Sequence, residues 1–154
     1  MRLVVAVVGK ARNPALGDAI RDYETRAARY WPLDVHEVRE EKSRSMPVDQ
    51  VKGREAERLA AKVPPRAQTY ACEAGGMALD SAQFASLLRQ ARDDDHDIAF
   101  LIGGAYGLDA SVTGKPAVRI SLAPWTLPHE IARLVLSEQI YRAGTIVRGE
   151  PYNK

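Results

Sequence analysis

The run Ala99-Phe100-Leu101-Ile102-Gly103-Gly104-Ala105-Tyr106-Gly107 decides how this chain folds. Four apolar residues, typical of a buried strand, lead directly into three glycines within five positions. A strand that ends in glycines ends where the backbone turns sharply or where another group approaches it closely. The run therefore predicts a ligand-binding loop, and the rest of the chain is interpreted as its scaffold.

Length and composition predict a single domain that spans residues 1–154. The chain is 45% hydrophobic and 27% charged, which are ordinary values for a globular protein. No stretch approaches the roughly 18 consecutive apolar residues of a membrane span, and Lys10 and Arg12 follow the short N-terminal apolar run, so we expect no membrane association and no signal peptide. A single Cys72 without Cys or His partners at ligand spacing predicts a reducing cytoplasm and no metal.

Charge alone does not predict a nucleic-acid partner, because the net charge is only +2. Basic residues nevertheless outnumber acidic ones in the last third of the chain. If the fold or a symmetric dimer gathers them on one face, they are placed to meet phosphates. The alternative is a normally solvated surface. The basic residues in question are Lys115, Arg119, Arg133, Arg142, Arg148 and Lys154.

Strand-like and helix-like apolar patterns alternate along the chain. Apolar runs predict strands at residues 3–8, 33–38, 69–72, 98–102 and 118–122, and stripes with helical spacing predict helices at 16–30, 48–63, 81–91 and 128–143. A helix of at most two turns fits between Leu108 and Pro116. This order predicts an α/β fold with a parallel-rich sheet and helices on both faces, whose ligands lie beyond the carboxyl ends of the strands.

Local signals refine these elements. Residues 73–76 predict a turn, Ser81 an N-terminal helix cap, and Gly144 a C-terminal cap. The second helix places Val51, Glu55, Leu59 and Val63 on one side. Residues 39–45 read as a charged loop, in which Lys42 and Arg44 either contact RNA or are simply solvated. Residues 93–97, with their aspartates and His96, favour a solvated turn over a metal site.

Common enzyme motifs are missing from the sequence. The Gly-Gly-x-x-Gly spacing is not the dinucleotide fingerprint, and Gly114-Lys115-Pro116 lacks the hydroxyl residue of a phosphate loop. The glycine loop and residues 122–129 instead predict a narrow apolar slot. Backbone N–H and C=O groups in such a slot recognise the edge of a heterocycle, which suits a purine-bearing cofactor.

Four ordered motifs carry a family resemblance. They are Leu101-Ile102-Gly103-Gly104-x-x-Gly107-Leu108, Thr126-Leu127-Pro128-His129, Glu138-Gln139-x-Tyr141-Arg142-Ala143 and Gly149-Glu150-Pro151-Tyr152-x-Lys154. In order and separation, over essentially the full chain, the sequence resembles the RlmH family. These are SPOUT-class methyltransferases that modify a pseudouridine of large-subunit ribosomal RNA.

The resemblance implies a C-terminal trefoil knot in the part from about residue 70 to 154, and a homodimer whose substrate site uses both subunits. It implies S-adenosyl-L-methionine as cofactor and 23S rRNA, in the large subunit or the whole ribosome, as partner. The cofactor contacts carried over are Cys72, Gly103, Leu122, Ala123, Pro124, Trp125, Thr126 and Leu127. The expected RNA contacts are Arg142, Arg148, Tyr152 and Lys154.

The implied reaction, methylation of pseudouridine N3, requires in-line positioning of the nitrogen and departure of its proton. A base or an anion-stabilising cation assists that departure. Candidate catalytic residues are therefore Arg142, His129 and Tyr152. The structural alternatives are that Arg142 pairs with Glu138 one turn earlier and that His129 bonds the start of its helix.

Position 153 departs from the family pattern, which usually has histidine where this chain has Asn153. Asparagine forms hydrogen bonds but takes no proton at neutral pH. We interpret the position as one that orients other groups, so that activity is retained. Two rival hypotheses remain at this point: a non-catalytic nucleotide-binding or flavodoxin-like module, and a ribosome-binding protein that has lost activity.

Overall fold

Strands and helices alternate throughout the computed structural model, which describes residues 1–42, 44–114 and 116–153. The strands are β1 (Leu3–Val8), β2 (Leu33–Val38), β3 (Gln68–Ala78), β4 (Ile98–Ile102) and β5 (Val118–Ser121). The helices are α1 (Pro14–Ala27), α2 (Val48–Ala60), α3 (Ser81–Asp93), α4 (Ala110–Thr113) and α5 (His129–Val147). This order confirms the predicted α/β class.

The five strands form one sheet in the order β2-β1-β4-β3-β5, and every pairing is parallel. Strands β1 and β4 are buried along their full length, which explains their uninterrupted apolar sequences. Because parallel strands end at the same edge, the carboxyl ends of the adjacent strands β4, β3 and β5 lie together.

Helices cover both faces of the sheet, as predicted. Alternate residues of β1 point to opposite sides, so Val5 joins a core with Trp31 and Leu136, and Val8 joins a second core with Leu59. The first core is built by α1, α3 and α5, and the second by α2 and α4.

The turn predicted at residues 73–76 is wrong, because β3 continues through them to Ala78. The strand shifts register between Cys72 and Met77 as it pairs with β5. A Cβ atom at Gly76 would lie only 2.5 Å from the carbonyl carbon of Ile120, so the missing side chain permits close approach of β5. The glycine marks a tight crossing of two backbones instead of a turn.

Two predicted helix caps are also wrong. Asp80, and not Ser81, caps α3: its Oδ1 accepts from Gln83 N at 2.7 Å, and Gln83 Oε1 accepts from Asp80 N at 2.9 Å. Gly144 lies inside α5, where a Cβ atom would be 2.3 Å from Cγ of Tyr30. It is therefore a packing position that admits an aromatic ring. Helices α1 and α2 end three residues earlier than predicted, at Ala27 and Ala60.

Helix α5 is the longest helix among the described residues, with 19 residues. It packs against α1 and α3 and joins the carboxyl edge of the sheet to the C-terminal segment. No helix within the described part of the chain is both long and apolar enough to cross a bilayer.

Candidate functional site

A cavity of about 610 Å³ opens at the carboxyl ends of β3, β4 and β5, beside the first turn of α5. We call it the slot. It brings together the two segments predicted to form it, the glycine loop (residues 103–107) and residues 122–129. Seven of the eight predicted cofactor contacts line it, namely Cys72, Gly103, Leu122, Ala123, Trp125, Thr126 and Leu127. The eighth, Pro124, is exposed and is not part of the lining.

The glycine loop forms one wall of the slot, and its first two glycines, Gly103 and Gly104, have no room for a side chain. A Cβ atom on Gly103 would lie 2.7 Å from the carbonyl carbon of Gly107. Gly107 N donates to Gly104 O at 3.1 Å, and Gly107 has a φ of +79°, which favours glycine. The loop is therefore folded back on itself, with backbone groups at the cavity surface.

The opposite wall follows β5. Ser121 Oγ donates to Ala123 O at 2.7 Å and fixes the start of this segment. Trp125 is 76% exposed, although it lines the slot. An exposed indole beside an apolar cavity is a surface that a ligand or a partner would cover.

Cys72 contributes packing and no nucleophile. Burial raises the pKa of its thiol to about 12, so the group is a neutral thiol at neutral pH. Glu73, the next residue, also lines the slot and supplies a carboxylate. The sequence pattern did not predict this residue, because residues 73–76 are typical of a turn. The available signal was that Glu73 directly follows Cys72, a predicted cofactor contact.

His129 stands at the slot, in the first turn of α5. Its Nε2 atom lies 3.4 Å from Lys10 O, so its neighbour is the loop after β1 and not its own helix start. Glu130 holds that loop in place, because its Oε1 accepts from Arg12 N at 2.9 Å. The His129 side chain is half-buried and available to a ligand in the slot.

Arg142 and Tyr152 lie together in a C-terminal cluster with Glu138 and Asn153. Arg142 donates to Glu138 Oε1 from Nε at 3.0 Å and from Nη2 at 2.5 Å, which is the predicted ion pair. Tyr152 OH donates to the same oxygen at 3.1 Å, and the guanidinium lies 4.7 Å from the Tyr152 ring centroid. Asn153 Oδ1 accepts from Arg142 Nη1 at 3.2 Å.

These contacts fix the protonation states in the cluster. The hydrogen bond to Glu138 is the main cause that raises the pKa of Arg142, so the guanidinium stays charged. Burial, then hydrogen bonds with Tyr23 and Glu138, raise the pKa of Tyr152. The phenol is thus a neutral donor at physiological pH, and a role as general base is disfavoured.

The remaining predicted RNA contacts lie near this cluster in sequence. Arg148 is exposed, donates to Arg29 O at 3.2 Å and stacks 4.5 Å from the Tyr30 ring centroid. Lys154 lies outside the described residues. Lys42 and Arg44 are exposed.

The structure does not bring the three candidate catalytic residues together within one chain. His129 and Arg142 are 13 positions apart on α5. At 1.5 Å per residue, they are separated by about 20 Å along the helix axis. One chain therefore presents a slot with His129 at one end of α5, and a basic and aromatic cluster at the other.

Metal-ligand geometry is missing from the residues that the structure describes: no group of three or more His, Cys, Asp or Glu side chains is arranged to hold an ion. In the acidic turn after α3, Asp95 pairs with the N-terminal amine, and Asp97 accepts from Arg2. These carboxylates bind the chain's own cations.

Comparisons with known proteins identify the family to which this chain belongs. The family described as "Predicted SPOUT methyltransferase" matches residues 1–153. A protein from Gemmatimonas aurantiaca named ribosomal RNA large subunit methyltransferase H is 56% identical over 154 residues, which is the full length of both chains. A Limosilactobacillus fermentum protein of the same name is 38% identical over 159 aligned positions and the full length of both chains.

A solved structure supports the fold alone. A probable methylase family protein from Haemophilus influenzae Rd KW20 superposes with a TM-score of 0.58 and 14% identity, covering 99% of this chain and 70% of that one. The full-length sequence matches show that the chain belongs to the SPOUT methyltransferases and, within them, to the family of ribosomal RNA large subunit methyltransferase H.

Proposed function

We propose that this protein uses S-adenosyl-L-methionine to methylate N3 of a pseudouridine in 23S rRNA, acting in the cytoplasm on the large subunit or the assembled ribosome. One observation carries the proposal. The glycine loop and residues 122–127 enclose a slot at the carboxyl edge of the sheet, in a chain 56% identical over its full length to a relative named for ribosomal RNA methylation.

The lining of the slot fits this cofactor. Leu122 and Leu127 offer apolar surface to the adenine, and loop backbone groups are available to its polar edge. Gly103 and Gly104 let the wall of the slot fold tightly, since a Cβ atom would meet the Gly107 backbone at the first and the Glu55 carboxyl at the second. The Glu73 carboxylate also lies at the slot, where Arg119 Nε is 3.7 Å from its Oε2 atom. When bound, S-adenosyl-L-methionine supplies an already activated methyl group.

The chain's own residues then have two tasks, to hold the nucleotide in line and to accommodate the charge left when the N3 proton departs. Arg142 is permanently charged and held in a fixed orientation by Glu138, so it suits stabilisation of a developing anion. Tyr152 acts as a hydrogen-bond donor. His129 remains the candidate proton acceptor at the slot.

Because these groups lie about 20 Å apart along α5, we assign the complete site to a homodimer. In it, the C-terminal cluster of one subunit meets the slot of the other. Helix α5 offers a face for this contact, since Ile131, Leu134 and Val135 are only half-buried in the single chain. Family membership further supports a single domain with a trefoil knot in about residues 70–154.

The decisive experiment compares ribosomal RNA from a strain that lacks this gene with RNA from the parent, using mass analysis and primer extension. We expect the mutant to lose one methyl group on a 23S pseudouridine and to regain it when the gene is restored. An unchanged modification pattern would refute the proposal.

Calorimetry separates the enzyme from a non-catalytic binding module. Binding of S-adenosyl-L-methionine or S-adenosylhomocysteine, without binding of a flavin or a nucleoside triphosphate, supports the methyltransferase. The reverse result supports the module.

Asn153 requires its own test, because it stands where the family usually has histidine. It accepts a hydrogen bond from Arg142, which is consistent with a positioning role and with retained activity. If the purified protein binds cofactor but methylates ribosomes only after Asn153→His substitution, this chain is an inactive member of its family.

A further inference from the structure

Glu55 is a buried carboxylic acid that the proposed reaction does not use. It lies on the core-facing side of α2 between Val51 and Leu59, and it is only 3% exposed. Its Oε1 atom accepts from Glu41 N at 3.0 Å. Its Oε2 atom is sealed from solvent and has no hydrogen-bond partner among the described residues. A polar atom left in this way needs an explanation.

The carboxyl group lies directly against the glycine loop. A Cβ atom on Gly104 would be 2.9 Å from Glu55 Oε2 and 3.3 Å from Oε1, so the two residues are in contact through the bare Cα of the glycine. Gly104 lines the slot on its other side. Glu55 therefore supports the slot wall from behind.

The environment of Glu55 favours its neutral form. Burial is the main cause that raises the pKa of this carboxyl, and the nearby Glu40 and Glu41 act in the same direction. The hydrogen bond from Glu41 N and the charge of Arg58 oppose the shift without cancelling it. A raised pKa reflects the cost of placing a carboxylate charge against the backbone of the cofactor wall.

Helix α2 also holds the segment that follows β2, residues 39–42. In addition to the bond from Glu41 N to Glu55, Arg58 donates to Arg39 O at 2.8 Å and to Glu41 Oε2 at 2.7 Å. This segment ends in the exposed Lys42. Glu55 is thus the side chain that contacts both this segment and the slot wall.

We propose that Glu55 is a positioning residue that couples the glycine loop of the slot to residues 39–42, so that cofactor occupancy sets the position of this charged segment. The inference rests on the proposed function, because it takes the slot to be the cofactor site. Its consequence is that a bound cofactor sets the position of the exposed Lys42, whose ammonium group can meet a phosphate of RNA.

The test requires no activity measurement. Purified Glu55→Gln and Glu55→Ala variants are titrated calorimetrically with S-adenosylhomocysteine, with Glu57→Ala as the matched control on the exposed side of α2. The Gln variant keeps a polar group of the same shape and should bind within about twofold of the parent. The Ala variant leaves the wall unsupported and should bind about tenfold more weakly. Glu57→Ala should have no effect.

Two further measurements isolate coupling from a loss of folding. In the unmodified protein, addition of S-adenosylhomocysteine should slow hydrogen exchange at the Glu41 amide, which donates to Glu55. In addition, Gly104→Ala should weaken binding in the parent but less so in the Glu55→Ala background, where the clash with the carboxyl is removed.

The outcomes are distinct. If the parent protein binds no S-adenosylhomocysteine, the proposed function fails. If the parent binds but Glu55→Ala binds equally well, or the Glu41 amide does not respond to the ligand, the coupling role of Glu55 is refuted while the proposed function stands. If Glu55→Ala does not fold, the exchange measurement on the parent decides alone.

Discussion

Removal of the Trp125 side chain should abolish most cofactor binding while leaving the fold nearly intact. The indole is 76% exposed and lines the slot, so folding has covered only about a quarter of its surface. An aromatic side chain buries about 150–250 Å² when fully covered, and burial contributes about 25 cal/mol per Å². Trp125→Ala should therefore cost about 1 kcal/mol of folding free energy.

The effect on binding should be larger than the effect on folding. The exposed three quarters of the indole represent about 150 Å², worth at most about 4 kcal/mol if a ligand covers them fully. Coverage of half that area would be worth about 2 kcal/mol, or about thirtyfold in affinity. The assay is a calorimetric titration with S-adenosylhomocysteine, accompanied by thermal unfolding of the same samples.

The second tryptophan is the matched control. Trp31 is 2% exposed, and its Nε1 donates to Ile140 O at 3.0 Å. Trp31→Ala should cost about 3–5 kcal/mol of folding free energy, as for other buried aromatic truncations. The reasoning is refuted if Trp125→Ala binds the ligand within about twofold of the parent, or if it destabilises the fold as strongly as Trp31→Ala.

Three further predictions test the glycines and the tail. Gly103→Ala should force the loop open, cost about 1–3 kcal/mol of folding free energy and abolish cofactor binding. Gly75→Ala, where a Cβ atom meets no described atom within 4 Å, should retain binding. Equal binding by both variants in calorimetry would contradict this prediction. Gly144→Ala should lower the free energy of unfolding in urea by about 1–3 kcal/mol, because its Cβ atom would overlap the Tyr30 ring. Gly53→Ala, at an open position inside α2, should raise it by about 0.5–1 kcal/mol. The opposite order would show that α5 does not pack on Tyr30 in this way. Tyr152→Phe should leave the shape of the pH–rate profile between pH 7 and 10 unchanged, because the raised pKa of the phenol moves its ionisation above its ordinary range. If the variant loses an alkaline limb of the profile, Tyr152 is instead a titrating catalytic group.

The sequence was sufficient to predict the strands and the slot walls because both depend on local patterns. Strand β1 is a continuous apolar run, and its observed bounds, Leu3–Val8, are the predicted ones. The glycine loop and residues 122–127 each follow a strand. Once a parallel sheet is assumed, its shared carboxyl edge places them together.

The errors arose where a distant part of the chain determines a residue's role. Gly76 looked like a turn, and Gly144 looked like a helix cap, because glycine is common at both. In the structure, neither position has room for a side chain. The backbone of β5 lies against Gly76, and the ring of Tyr30 lies against Gly144. Contacts of this kind join residues more than 40 positions apart, and no local pattern reveals them.

Glu55 shows the same limit for the site. The helical pattern already placed it on the apolar side of α2, but a single acidic residue on such a face has no assigned role without its neighbours. Its contact with Gly104 connects residues 49 positions apart and becomes visible only in the folded chain. By contrast, the helix predicted at 128–143 already contained both His129 and Arg142, so their separation along α5 followed from the sequence.

The uninterrupted helix α5 fixes the distance between the slot and the C-terminal cluster within one chain. Because α5 carries His129 at one end and Arg142 further along, the spacing and the relative direction of the two residues are set by the number of residues between them. One inserted residue would lengthen this interval by 1.5 Å and rotate one end against the other by about 100°. We therefore expect no insertion or deletion to be tolerated between positions 129 and 142.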